Sequence, residues 1–271
     1  MNKQASLPMY DFPEFRKASD AWWQGIARHL KQAGIDQVPE RLLHDVPVKQ
    51  LWQHPNLLLS QCCGFDVVYG LKDTLSVLLI TDWEAEGCST GHYSSWIVVH
   101  EDSPHQDITD LYGHTAVING PESHSGMHSL FAKVQPYSMD GQFFKQVDIS
   151  GAHVSSLDAI IERRADVAAI DCVTYALLKQ YRPHALNGIR IIGQTDEAPA
   201  HPYVTSSAAS PDTIIRMQSA LEAAFNDADL DSARDAMLLK QGLFNRSNDY
   251  QSIVDNFVYD SRLLNAITHQ D

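Results

Sequence analysis

The chain has 271 residues, of which 44% are hydrophobic and 20% charged, an ordinary composition for a globular protein. It is too long for one small core and long enough for two lobes of ordinary size. Its 34 acidic and 20 basic side chains leave a formal net charge of −14. Nucleic-acid binding needs clustered Lys and Arg, so this composition argues against a nucleic-acid partner, and any small anion must be held by a local arrangement of donors.

The sequence shows neither a membrane span nor an export signal. No stretch approaches the roughly 18 consecutive apolar residues that a membrane span needs. The first eight residues contain no apolar signal region, so either a leader was removed or the protein stays inside the cell. The four cysteines, Cys62, Cys63, Cys88 and Cys172, lack the CxxC spacing of zinc or redox sites and do not settle the compartment.

The predicted elements begin with a short strand at 7–10. Apolar residues then recur every three or four positions from Phe15 to Leu30, which predicts an amphipathic helix that ends at Gly34. Three apolar runs follow, and they predict strands at 57–60, 74–80 and 95–99.

Strands and helices then alternate at short intervals. The predicted strands are 114–118, 143–149, 166–170 and 189–192, and the predicted helices are 123–134, 155–164 and 172–181. This alternation predicts βαβ units on a mostly parallel sheet, and therefore an α/β protein. Ser210 is predicted to be an N-cap, with Pro211 at the first helical position. From there the chain is predicted to be helical through Leu264.

The chain contains no Pro/Gly-rich linker, although its length favours two lobes. This combination predicts segments that cross from one lobe to the other and back, near 99–103 and 193–200. The first lobe would be discontinuous, with residues 1–99 and 196–271, and the second lobe would be 100–195.

Asn119–Gly126 is the first segment that could bind a ligand. It predicts a strand end, a tight turn and a helix start with small hydroxyl residues, and such a helix start presents free backbone N–H groups to an anion. The alternative is that Ser123 only caps the helix. The segment is neither a GxxxxGK[ST] loop nor a GxGxxG fingerprint, so no nucleotide cofactor is indicated.

Two further turns follow predicted strands. In Gly151–Ser156, His153 could donate a hydrogen bond to a ligand oxyanion, although one of 13 histidines is more often a surface residue. Asp171 ends the apolar run 166–170, at the carboxyl end of a predicted strand, where ligands bind in open α/β sheets. A plain helix-capping role for Asp171 is the competing interpretation.

No catalytic residue is predicted. The sequence contains no GxSxG elbow, no HExxH and no cysteine with an assignable base. His124 and His128 have the spacing of two metal ligands on one helix face, but no third ligand accompanies them. A solvated helix face is the favoured interpretation, so no metal is predicted.

Taken together, these segments resemble the phosphate/phosphite/phosphonate-binding proteins of ABC importers, the PhnD-like family. The segments that carry the resemblance are 5–10, 57–64, 87–99, 123–126 and 151–173, in this order along the chain. The resemblance implies a two-lobed type II periplasmic-binding-protein-like fold with the ligand cleft between the lobes. It also implies a solute-binding role without a cofactor.

The resemblance also implies a set of ligand-binding residues. Ser123, Ser125 and Gly126 would form the anion-binding helix start, and His153 would contact the same group. Asp171 matches an acidic position that faces the ligand amine in aminoalkylphosphonate binders. The remaining implied residues are Tyr10 and Tyr93, as pocket walls from the first lobe, and His124, which stands where the family more often has a small polar residue.

Further expectations follow from the same resemblance. The ligand would be a small anion or zwitterion, and an ABC permease would be the partner of a monomeric protein. The location would be periplasmic, although the missing signal region leaves a cytoplasmic one open. Cys63 and Cys88 would lie close together on the ligand side of the first lobe, where they would form a disulfide if the protein is exported; the alternative is that both are reduced and buried.

Two other classes of protein use the same fold and stay open as alternatives: a thiamine-pyrimidine-type biosynthetic enzyme and a cytoplasmic sensor. The enzyme would need a reactive group or cofactor site that the sequence does not show. The sensor would be expected to carry a DNA-binding helix-turn-helix before Leu7, and only six residues precede Leu7 here. Likeness of fold does not exclude either class.

Overall fold

The structure, a computed structural model, describes residues 3–245, 247–256 and 261–267. The chain divides into two compact units, and each of them is discontinuous. The first unit comprises 1–84, 89–91 and 199–251, and the second comprises 85–88, 92–198 and 252–271. Each unit contains a five-stranded sheet together with helices, which confirms the predicted α/β class.

The strands in chain order are β1 (Gln4–Ser6), β2 (Leu57–Gln61), β3 (Leu75–Trp83), β4 (His92–Tyr93), β5 (Ser95–His100), β6 (Thr115–Ile118), β7 (Gln146–Ile149), β8 (Val167–Asp171), β9 (Ile189–Gln194), β10 (Ala198–Pro199), β11 (Pro202–Ser206) and β12 (Leu239–Leu243). The α-helices are α1 (Arg16–Gln32), α2 (Val48–Trp52), α3 (Gly64–Tyr69), α4 (Ser129–Val134), α5 (His153–Ile161), α6 (Cys172–Tyr181), α7 (Pro211–Phe225), α8 (Asp231–Ala236) and α9 (Gln251–Asn256). A π-helical turn, His124–His128, leads directly into α4. Short 3-10 turns lie at Pro8–Tyr10, Pro13–Phe15, Ile108–Leu111, Gln135–Tyr137, Pro183–Leu186, Ala228–Leu230, Ser247–Tyr250 and Ser261–Ala266. Within the described residues, no helix is long and apolar enough to cross a membrane.

The sheet of the first unit has the order β1-β2-β11-β3-β12. β1 and β2 are parallel, whereas β11 runs antiparallel to both of its neighbours, β2 and β3. Every residue of β2 is buried, as its run of three leucines predicts for a strand inside a sheet, and the burial extends to the polar Ser60 and Gln61. α1 packs against α7, and its Trp22, Ile26 and Leu30 are fully buried because the three- and four-residue spacing places them on one face.

The sheet of the second unit has the order β7-β6-β8-β5-β9. β7, β6 and β8 are parallel neighbours, and β5 runs antiparallel to β8 and β9. The core of this unit combines β-strand residues with aromatic side chains from α4 and the segment before β7. Phe143 and Phe144 pack edge to face at 4.9 Å between ring centroids, a favourable arrangement of two aromatic rings.

Most predicted elements are present, and α6 has the predicted bounds, 172–181. The predicted strand at 7–10 is wrong, because the strand is Gln4–Ser6 and Pro8–Tyr10 forms a 3-10 turn. Pro8 favours this turn, since proline has no N–H for a strand ladder and its φ suits a helical start. The predicted strand at 143–149 is shorter than expected, Gln146–Ile149.

The prediction of helical structure from 211 through 264 is wrong for its middle part. β12 (Leu239–Leu243) pairs antiparallel with β3, and α8 ends before it at Ala236. Residues 257–260 of that predicted helix lie outside the described residues. The sequence analysis also missed β11, which is paired on both sides within its sheet.

The predicted lobe boundaries differ from the observed units. Residues 85–88 and 92–99 were assigned to the first lobe but belong to the second unit, in which β5 is a central strand. The segment 252–271 was also assigned to the first lobe, but it clusters with the second unit, where Ile267 forms a parallel bridge with Val147. The chain returns to the first unit at residue 199, close to the predicted 196.

The predicted Cys63–Cys88 disulfide is absent, and all four cysteines are thiols. Cys63 belongs to the first unit and Cys88 to the second. The cysteine beside Cys88 is Cys172, at 3.4 Å between the Sγ atoms.

A charged cluster in the first unit fixes the segment before α2. His44 Nδ1 lies 2.7 Å from Asp11 Oδ1, and His44 Nε2 lies 3.2 Å from Asp20 Oδ1. Arg16 pairs with Asp11 and Asp45. Burial alone lowers the pKa of His44, but the hydrogen bonds and charges of Asp11 and Asp20 outweigh burial, so this pKa is raised.

We expect His44→Gln to destabilise the protein in acid more than in base. Because the folded-state pKa of His44 is raised, its contribution to stability is fully present below the unfolded-state pKa of about 6.5 and is lost as pH rises through the folded-state pKa. The loss in the free energy of unfolding should be about 0.5–1 kcal/mol at pH 5.5, because the cluster is partly exposed, and should fade by pH 9. Urea denaturation across this pH range measures it, with the exposed His184→Gln as control. A loss that grew with pH would contradict the assignment.

Candidate functional site

Three parallel strands of the second unit bring the predicted segments to one edge of its sheet. β6 ends at Ile118, β7 at Ile149 and β8 at Asp171. Because β7, β6 and β8 are parallel neighbours, their carboxyl ends lie at the same edge. The turns that follow carry Asn119–Gly126, Gly151–His153 and the start of α6, so the structure brings these three segments together.

The helix start at Ser123 has two distinct features. Ser123 is the N-cap, and its Oγ accepts a hydrogen bond from the Gly126 backbone N–H at 3.1 Å. The backbone N–H groups of Met127 and His128 both donate to the Ser123 carbonyl oxygen, which makes the first turn π-helical. The capping interpretation of Ser123 is therefore correct, and the Gly126 N–H donates within the turn.

Ser125 and His153 are directly hydrogen-bonded, with 2.9 Å between Ser125 Oγ and His153 Nε2. Ser125 is 6% exposed and lies on the π-helical turn, whereas His153 is the first residue of α5. Burial lowers the pKa of His153 to about 4, although a hydrogen bond with the Ala169 backbone raises it in part. His153 is therefore neutral at pH 7, and a neutral imidazole donates through one ring nitrogen and accepts through the other.

His124 and Tyr93 form a second buried pair, with 3.0 Å between Tyr93 OH and His124 Nδ1. Both residues are 2% exposed. Tyr93 was predicted as a pocket wall from the first lobe, but it belongs to the second unit, the unit of His124. His124 was predicted on a solvated helix face, and its burial shows that this prediction is wrong.

His128, one turn after His124, is also buried, at 6% exposure. Burial lowers the pKa of His128 to about 4, so this ring too is neutral at pH 7. Among the residues that the structure describes, no group of three or more His, Cys, Asp or Glu side chains is arranged to hold a metal ion.

Asp171 is the N-cap of α6. Its Oδ1 accepts a hydrogen bond from the Thr174 backbone N–H at 2.7 Å, and the residue is 2% exposed. The structure therefore assigns Asp171 the capping role that competed with ligand binding in the sequence analysis. The two roles are compatible, because an ionised carboxylate has about four lone-pair sites and can accept several hydrogen bonds at once.

Tyr10 belongs to the first unit. Its hydroxyl is 3.0 Å from His201 Nδ1, and its ring meets Trp83 edge to face at 4.8 Å between centroids. Both partners belong to the first unit and hold the Tyr10 ring in a buried position, at 6% exposure.

Asn119 is a candidate site residue that the sequence analysis named only as part of a segment. It directly follows β6, and its position at a strand end was the signal that could have identified it. Its Oδ1 is buried and has no hydrogen-bond partner among the described residues. A Cβ added at Gly126 would overlap this oxygen and would lie 3.3 Å from His153 Cε1, so the absence of a side chain at 126 lets Asn119 and His153 pack against the helix start.

The arrangement suits the recognition of an oxyanion by uncharged hydrogen-bond donors. The hydroxyls of Ser123 and Ser125 and the neutral His153 surround a helix start. The backbone N–H groups before Gly126 precede the first hydrogen bond of this turn, which is where a helix presents donors to a ligand. Such donors bind an oxyanion without a neighbouring cation, and the helix dipole adds to the attraction.

A sequence model of one protein family matches residues 62–244, and the family is described as the periplasmic substrate-binding protein of phosphonate ABC transporters. The match spans more than half of the chain. No curated protein matches the chain.

Solved structures share the fold at low sequence identity. PhnD1 from Prochlorococcus marinus in complex with methylphosphonate has a TM-score of 0.73 at 14% identity and covers 98% of each chain. The binding-protein component of an ABC phosphonate transporter from Pseudomonas aeruginosa has a TM-score of 0.72 at 13% identity, with 94% of this chain and 84% of that chain covered. A Xanthomonas citri protein bound to ATP has a TM-score of 0.72 at 15% identity, with 98% and 99% covered. These likenesses confirm the predicted type II periplasmic-binding-protein fold.

We expect Gly126→Ala to destabilise the protein by about 1–3 kcal/mol, because the new methyl group displaces Asn119 and crowds His153. Gly120→Ala is the matched control, since a Cβ at 120 meets nothing within 4 Å. Chemical denaturation of both variants gives the comparison. The double variant Asn119→Ala/Gly126→Ala should recover part of the loss. Equal stability of Gly126→Ala and the wild type would show that Asn119 does not pack as described.

Proposed function

Because the chain belongs to the family of periplasmic substrate-binding proteins of phosphonate ABC transporters, we propose that it binds a small phosphonate at the helix start Ser123–Gly126. This is a family of solute-binding transport components, not of enzymes. The observation that supports the position of the site is the hydrogen bond between Ser125 and His153, which joins two of the predicted ligand residues at the carboxyl edge of the sheet.

The phosphonate oxygens would accept hydrogen bonds from the first backbone N–H groups of the helix and from the Ser125 hydroxyl. Hydrogen bonds to a charged group contribute about 1.5–3 kcal/mol each, and the helix dipole adds about 0.3–1 kcal/mol. These local donors offset the repulsion that a chain of net charge −14 exerts on an anion. Neutral His153 would donate a hydrogen bond to the same oxygens once its hydrogen bond with Ser125 is replaced by one with the ligand.

Asp171 favours one kind of phosphonate. A buried carboxylate repels a bare anion but accepts a hydrogen bond from an ammonium or hydroxyl group of the same ligand. Asp171 is buried at the same sheet edge as the helix start, directly before α6. The proposed ligand is therefore a zwitterionic or hydroxylated phosphonate, in preference to inorganic phosphate.

Several further parts of the proposal follow from the family. Its members are periplasmic and serve ABC transporters. For this chain we propose a periplasmic location, an ABC permease as partner and a monomeric state. The residue of the first unit that we propose for ligand binding is Tyr10.

Calorimetry with 2-aminoethylphosphonate, methylphosphonate, inorganic phosphate and sulfate tests the proposal. We expect the aminophosphonate to bind most tightly. Ser125→Ala should weaken the binding of both phosphonates by about 1–3 kcal/mol, because a polar partner is lost from a buried site. Asp171→Asn should weaken the binding of the aminophosphonate only, because the carboxylate that accepts from its ammonium group is lost. α6 should stay intact, since asparagine is as good an N-cap as aspartate.

The matched controls are Ser138→Ala and Asp158→Asn, which lie outside the proposed site in the same unit. Neither control should change any affinity. If Ser125→Ala left every affinity untouched, the site would be misplaced. If Asp171→Asn tightened the aminophosphonate, the carboxylate would not face the ligand amine. If none of the four anions bound, the ligand class itself would be wrong.

A further inference from the structure

Two cysteines of the second unit lie side by side. Cys88 Sγ and Cys172 Sγ are 3.4 Å apart, whereas a disulfide bond is about 2.05 Å long, so bonding needs an approach of about 1.4 Å. Cys88 lies in the loop after β3, and Cys172 is the first residue of α6, directly after Asp171.

Backbone contacts hold these two segments together independently of the sulfur atoms. Ser94 Oγ donates to the Gly87 carbonyl oxygen at 2.8 Å, and the Cys172 backbone N–H donates to the Ser94 carbonyl oxygen at 3.0 Å. Ser94 therefore binds the loop and the start of α6 at once. Gly87 has φ +91°, and a Cβ there would lie 2.9 Å from Cys172 Cβ, so the loop passes this close to α6 because residue 87 has no side chain.

We propose that Cys88 and Cys172 are a disulfide-forming pair that closes when the protein meets a disulfide oxidant. The Cys88 thiolate attacks the oxidant's disulfide, forms a mixed disulfide and releases one thiol. The Cys172 thiolate then attacks the Cys88 sulfur and releases the second thiol. Each cysteine loses one proton, the pair loses two electrons, and the oxidant is reduced to two thiols.

The exposure of the two residues sets this order. Cys88 is partly exposed in a loop whose neighbours Glu86 and Ser89 are exposed, whereas Cys172 is 0% exposed. An oxidant therefore reaches Cys88 first, and Cys172 meets only the mixed disulfide that already lies beside it.

The other two cysteines are poor competitors. Cys62 and Cys63 are 0% and 7% exposed and belong to the first unit. Burial raises the pKa of the Cys62 thiol well above its usual range, which suppresses the reactive thiolate. The link would fasten the loop at 85–88 to the turn that carries Asp171.

Incubation of the native full-length protein with oxidised glutathione tests the pair. After denaturation without reductant and alkylation with N-ethylmaleimide, the wild type should take up two alkyl groups, whereas reduced protein takes up four. Peptide mapping should identify one cross-link, between the peptides that contain residues 88 and 172. Four alkyl groups on oxidised protein, or a cross-link from residue 88 to residue 63, would overturn the proposal.

Single variants separate the two steps. Cys172→Ser should retain one glutathione on Cys88, because the resolving thiol is missing, and Cys88→Ser should retain none at Cys172, because that thiol is buried. Cys63→Ser is the matched control and should form the same cross-link as the wild type. A glutathione adduct on Cys172 in Cys88→Ser would contradict the order of attack.

Circular dichroism confirms that each variant is folded, and Cys172→Ala replaces Cys172→Ser if the hydroxyl is not tolerated. These readouts use no ligand, so their failure is distinguishable from failure of the proposed function.

Discussion

The candidate site depends on one constraint: β7, β6 and β8 are parallel neighbours in a single sheet. Parallel strands end at the same edge, so the turns that follow them meet even though they are far apart in sequence. This is why Ser125 on one turn can bond to His153 on another. β5 completes the constraint from the other side, because its register pairs Ser95 with Asp171 and fixes where β8 ends.

Electrostatics of the second unit favour a site built from neutral donors. The chain is strongly acidic. A cation buried at the site would lose its hydration, and its attraction to the ligand would have to repay that cost. Instead, burial keeps His128 and His153 uncharged at neutral pH. Hydroxyls, imidazoles and backbone N–H groups can bind an oxyanion without a cation. In this structure some of these groups hydrogen-bond to one another, as Ser125 does to His153 and Tyr93 does to His124.

Two strands that run antiparallel to both of their neighbours follow a passage of the chain between the units: β11 in the first unit and β5 in the second. β5 follows the passage of the chain into the second unit, and β11 follows its return to the first. A strand that enters a sheet directly after such a passage is contributed by a distant part of the sequence. The neighbouring sequence therefore does not indicate to which unit such a strand belongs. This is why residues 95–99 were assigned to the wrong lobe.

The sequence by itself determined the elements whose signals are local. α6 and β2 were predicted because their apolar periodicity and length depend only on neighbouring residues, and the turns at Ser123, His153 and Asp171 were recognisable from strand ends and capping residues. The tertiary structure decided what depends on partners. Leu239–Leu243 is a strand because β3 offers an edge to pair with, and Tyr93 faces His124 because both belong to one unit. Cys88 lies beside Cys172 and not in a bond with Cys63 for the same reason: contacts between distant residues follow from the pairing of strands, which no short window of sequence contains.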